Sequence, residues 1–144
     1  MTDQNPFMAA YDGLLYGLRG WDDLDAFWDV LRRHNDGGWY VYAVGQDVPE
    51  RPATPEELAT FIDEIDRLLR AEHDEDYCGI VYVDDRQQPG FVKIYDPNNL
   101  GAVCGSSGRR VPPGWVLSRV PPVALSDSLP VAGNRRRWWQ RLFS

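Results

Sequence analysis

The segment from Thr54 to Leu69 constrains the fold more than any other part of the chain. Thr54 is suited to cap a helix, Pro55 to occupy its first turn, and Glu57 to complete a capping box three residues after the cap. Leu58, Phe61, Ile62, Ile65, Leu68 and Leu69 then recur at helical spacing, while Asp63, Glu64, Asp66 and Arg67 take the wet side. A helix striped this way needs an apolar surface to lie on.

A second stripe, Leu24, Phe27, Trp28 and Leu31, predicts another amphipathic helix. Asp22 or Asp23 is expected to cap it, Arg32 and Arg33 suit its carbonyl end, and Asn35-Asp36-Gly37-Gly38 stops it. The surface for both helices comes from four runs rich in β-branched and aromatic residues: WYVYAVG, YCGIVYVDD, FVKIYD and GWVLSRV. Arg86-Gln87-Gln88-Pro89-Gly90 joins the middle two as an antiparallel pair, in which Val92 and Ile94 face inward. The expected class is α+β, with two amphipathic helices packed on a mostly antiparallel sheet of about four strands.

A length of 144 residues fits one domain with a sizeable core. The pattern places that domain at residues 1–125, followed by a polar linker and a basic Arg/Trp tail at 126–144. The Phe7–Tyr11 patch is expected to pack on the domain rather than serve as a signal. With no continuous apolar span and only Cys78 and Cys104, the chain reads as a cytoplasmic protein with reduced thiols.

The net charge of −7 is unevenly spread. Residues 109–144 hold seven arginines against Asp127 alone, a balance of +6, which leaves −13 on residues 1–108. An acidic body repels phosphate backbones, so nucleic acid is an unfavoured partner. The tail, GNRRRWWQRLFS, is a different surface. Written as a helix, it puts Trp138, Trp139, Leu142 and Phe143 in one sector and Arg136, Arg137, Gln140 and Arg141 around the rest. Exposed tryptophan is costly, so the segment should dock on its own acidic body, on a protein partner or on an anionic membrane surface.

Chemistry-bearing groups are sparse. Asp96-Pro97-Asn98-Asn99 reads as an ordered turn in which Asp96 accepts nearby backbone N–H groups, with Asn98 and Asn99 available for ligand contact. Cys104, followed by Gly105-Ser106-Ser107-Gly108-Arg109-Arg110, is the one candidate nucleophile. His34 or His73 would have to act as its base, oriented by Asp96. Arg109 and Arg110 can also hold an anion, but neither a P-loop nor a dinucleotide fingerprint accompanies them. No close pairing of His and Cys calls for a metal, and no cofactor is expected.

YCGIVYVDD, KIYDPNNLG, CG and PPGWVLSRVPP resemble a family of small uncharacterised bacterial proteins, over roughly residues 10–125. The resemblance implies a compact α+β domain and carries no catalytic residue with it. The expectation is a non-enzymatic accessory or protein-interaction domain. Its binding residues would be Asp96, Asn98, Asn99, Arg109, Arg110, Arg136, Arg137, Trp138, Trp139 and Arg141. A Cys104 enzyme and an anion-binding or peripheral membrane protein are the alternatives. The oligomeric state is left open.

Overall fold

The computed structural model describes residues 5–73, 78–99, 112–125 and 133–143, with the backbone alone at Asn99. Four helices and five strands account for most of them: α1 (Pro6–Tyr11), β1 (Tyr16–Gly17), α2 (Trp21–Arg33), β2 (Tyr40–Ala43), α3 (Pro55–Glu72), β3 (Val81–Val83), β4 (Phe91–Ile94), β5 (Trp115–Ser118) and α4 (Gly133–Phe143). A 3-10 turn spans Pro97–Asn99. The strands form one sheet in the order β1-β3-β4-β5-β2, with every neighbouring pair antiparallel. The α+β class holds, with one short strand, β1, beyond the four expected.

Local chemistry explains the helix ends. In α3 the Thr54 hydroxyl accepts from Glu57 N at 3.1 Å, and Glu57 returns the bond by accepting from Thr54 N at 2.9 Å. In α2 the cap is Gly20, not an aspartate. Asp23 lies in the first turn and its carboxylate accepts from Gly20 N at 3.0 Å. An acid there reaches back to the cap amide while also facing the positive end of the helix, so it serves from inside the helix rather than before it. Trp28 Nε1 donates to Asp66 at 3.1 Å and Arg70 joins Asp66 to Asp25, which fixes α2 against α3.

The hairpin between β3 and β4 is built on two aspartates. Asp84 Oδ1 accepts from Gly90 N and Phe91 N, and Asp85 Oδ1 accepts from Gln87 N and Gln88 N. Backbone donors favour the ionised carboxylate, so the bonds from Gln88 and Gln87 hold the Asp85 pKa below its usual range.

The sheet is covered on both faces. Val41, Ala43, Val81, Val83, Val92, Ile94, Trp115 and Leu117 turn to the layer of α2, α3 and α4. Tyr42, Phe91 and Val116 turn the other way, onto Phe7 of α1 and Leu125. The alternation along β4 is the expected one, since Val92 and Ile94 share the helix-covered face while Phe91 lies on the other. Leu125 N donates to the Tyr42 hydroxyl at 3.3 Å, pinning the segment after β5 across the second face. Phe7 packs on Phe91 with ring centroids 5.4 Å apart, so the Phe7–Tyr11 patch belongs to the domain.

Candidate functional site: an arginine clamp beneath a cationic helix face

The chain leaves β4 at Ile94 and turns at Asp96, whose Oδ1 accepts from Asn98 N at 2.9 Å. This is the local turn that Asp-Pro-Asn-Asn predicts, and it takes the form of a 3-10 turn. Asp96 is nevertheless only 6% exposed, because a partner from far along the chain covers it. Arg135 of α4 donates from Nε to Asp96 Oδ2 at 2.9 Å and from Nη2 to Oδ1 at 3.0 Å. The same guanidinium donates from Nη1 and Nη2 to the two oxygens of Glu72, at 2.9 and 2.7 Å.

A guanidinium is a planar fork, and here both of its edges are matched by carboxylates. Asn98 completes the arrangement. With its amide nitrogen donating to Glu72 Oε1 at 3.2 Å, its oxygen accepts from Arg135 Nη2 at 3.0 Å, the orientation that the surrounding donors and acceptors require. Burial alone would weaken the charge on Arg135, but the bonds from Asp96 and Glu72 outweigh it and hold the pKa above the ordinary arginine value. The arginine stays charged. Gly114 lets β5 begin here: a Cβ on it would sit 3.0 Å from the Asp96 Cβ.

Trp138, one turn further along α4, is 9% exposed and belongs to the same core cluster as α2, α3 and the sheet. Its ring lies 5.6 Å from Trp115 and 6.3 Å from Phe61. Trp139, Leu142 and Phe143 pack against that cluster half-buried. The apolar sector that the sequence assigns to Trp138, Trp139, Leu142 and Phe143 is thus turned onto the chain's own body. Burial does not divide at residue 125: the last described helix shares one core with the residues before it. Asp96 and Trp138, both expected as contact residues, are covered from within by this docking.

What α4 presents outward is charge. Arg136, Arg137 and Arg141 are exposed, with Arg137 and Arg141 one turn apart on the same side. Arg32, Arg51, Arg67, Arg70, Arg119 and Arg135 each meet a carboxylate. Among the described residues, none of the three outer arginines of α4 does. Sequence reasoning found these three but missed Arg135 and Glu72. Neither belongs to a motif, and the pair meets across 63 residues of chain.

The remaining candidates are not brought together. His34 caps α2 with Nδ1 2.9 Å from its own Val30 carbonyl. His73 caps α3, buried with its ring 6.0 Å from Trp21. Cys78 is a buried free thiol whose pKa is pushed up, chiefly by burial. Cys104, Arg109, Arg110 and the Asn99 side chain lie outside the described residues. Among the described residues no three His, Cys, Asp or Glu side chains gather as a metal ion would require. No helix among them is long and apolar enough to cross a membrane.

Comparison with protein-family models, with curated proteins and with solved structures finds no match.

Proposed function

We propose that this chain is a non-enzymatic accessory domain that captures an acidic protein partner through the outer face of α4, in a cytoplasmic setting. One observation carries the reading: Arg136, Arg137 and Arg141 stand exposed, with no carboxylate partner among the described residues, on a helix held in place by Arg135 and Trp138. In a protein with 22 acidic residues against 15 basic ones, three arginines on one helix without a carboxylate among the described residues make a local cationic face on an acidic molecule. A fixed cationic face raises the encounter rate with a negative patch and makes the complex salt-sensitive. Arginine is also among the residues that most often anchor interfaces.

A protein partner is favoured over a membrane because the apolar side of α4 is already taken up by the body. An interfacial helix would need that side for the acyl region.

The test uses the full chain and the variant Arg136→Glu/Arg137→Glu/Arg141→Glu at low salt. Three probes are offered: poly-L-glutamate, phosphatidylglycerol vesicles and a double-stranded oligonucleotide. The expected result is salt-sensitive binding of poly-L-glutamate that the variant loses while its melting temperature is kept. Undiminished binding by the variant, no binding by either protein, or binding to vesicles or oligonucleotide alone would overturn the reading.

A further inference from the structure

At one edge of the sheet, β1 borders an open groove of about 680 Å³. Leu18 and Gly79 line it together with Tyr16 and Tyr82, and Arg19 and Arg86 bring their positive charge to it. Tyr16 is 51% exposed, an unusual position for a large aromatic ring. Gly17 lets the Tyr82 ring lie across β1, since a Cβ there would sit 3.0 Å from that ring. Tyr82 is in turn braced edge-on by Tyr95, 5.6 Å away.

Among the described residues, Arg86 donates to the Gly17 carbonyl at 3.3 Å and neither it nor Arg19 meets a carboxylate, so both exposed guanidiniums face solvent. Asp23 also lines the groove, with its Oδ2 accepting from Gly20 N, and its formal charge leaves the two arginines a net +1 there. By the β1–β3 register Tyr16 lies on the same sheet face as Val83, and Tyr82 on the other with Gly17. Two guanidinium groups near the Tyr82 ring suit a ligand with a flat body and an oxyanion, the guanidiniums binding the anion while that ring packs on the body. Blunting of the sheet edge would account for Arg86 on the Gly17 carbonyl. It would not account for Arg19.

We propose that the β1 groove binds a small organic oxyanion, a carboxylate or a phosphate ester, carrying an aromatic body. The proposal is independent of the α4 face, and the two succeed or fail separately.

The experiment titrates the isotope-labelled full chain with phenyl phosphate, benzoate, inorganic phosphate and neutral benzyl alcohol while the backbone amides are followed by NMR. Saturable shifts are expected at Gly17, Arg19, Gly79 and Tyr82 with phenyl phosphate or benzoate, at dissociation constants of about 1 mM or tighter. Which of the two binds more tightly distinguishes a phosphate ester from a carboxylate. Arg19→Gln/Arg86→Gln should weaken binding by about tenfold or more, with the melting temperature unchanged because both side chains are exposed. Tyr82→Leu should weaken the aromatic anions while leaving the weaker inorganic phosphate unaffected. The proposal is overturned by an absence of saturable shifts, by equal binding of benzyl alcohol, by undiminished binding in the double variant, or by shifts confined to the outer face of α4.

Discussion

Replacing Arg135 by methionine is expected to destabilise the folded chain by about 3–5 kcal/mol if α4 stays docked, the cost of breaking a buried ion pair by removing one partner. Methionine restores much of the side-chain volume, so the loss reads charge and hydrogen bonding rather than a cavity. Without the guanidinium, Asp96 and Glu72 are left as two carboxylates that have lost their shared cation. Arg135→Lys should recover only part of the loss. A single ammonium cannot reproduce four bonds from Nε, Nη1 and Nη2 to two carboxylates lying in different directions. Urea unfolding of the three proteins side by side checks this, and a lysine variant as stable as the parent would contradict the fork geometry.

Trp138→Ala is expected to cost about 3–5 kcal/mol if α4 stays docked, as for other large aromatic truncations in cores. The structure also sets a ceiling on that figure. Because α4 is held to the body by side-chain contacts, the chain can instead release the helix, and the measured loss then stops at the free energy of docking. The two responses have different signatures. A retained helix around a cavity lowers the melting temperature while the α4 amides stay protected. A released helix bares Phe61 and Trp115, leaves Arg135 without its carboxylates, and gives an apolar surface that binds a hydrophobic dye. Either way the melting temperature falls. An unchanged melt would mean that Trp138 contributes nothing to the core.

The parts of this fold that were legible in the sequence are those set by neighbours along the chain. The cap of α3 needs only Thr54, Pro55 and Glu57, and its stripe needs only helical spacing, so both could be read directly. The alternation of Val92 and Ile94 against Phe91 is likewise local. β1 was not legible because two residues are too few to show a period. The six-residue α1 reads in the sequence only as an apolar patch, for the same reason.

The candidate site divides along the same line. Asp96 as the organiser of a turn follows from Asp-Pro-Asn-Asn, and the turn is there. Its second role, as one side of the Arg135 clamp, depends on a residue 39 positions away that only the tertiary fold brings near. The apolar sector of α4 was recognisable as a surface that must be covered. What covers it was open among the body, a partner and a membrane, because composition says that tryptophan docks without saying on what. Gly114 reads in the sequence as an ordinary residue before a strand, and its closeness to the Asp96 Cβ is likewise a tertiary fact.

The central claim is that α4 is part of the folded body, clamped on its inner side by Arg135 and Trp138 and cationic on its outer side. Native-state amide hydrogen exchange of the full chain tests it most directly, by comparing residues 137–143 with the buried stretch of α3 around Leu68 and Leu69. Protection of the α4 amides by at least about a hundredfold over the unfolded rate, falling sharply in Arg135→Met, is the predicted result. Exchange of those amides at the unfolded rate in the unaltered chain, alongside full protection of α3, would contradict the account.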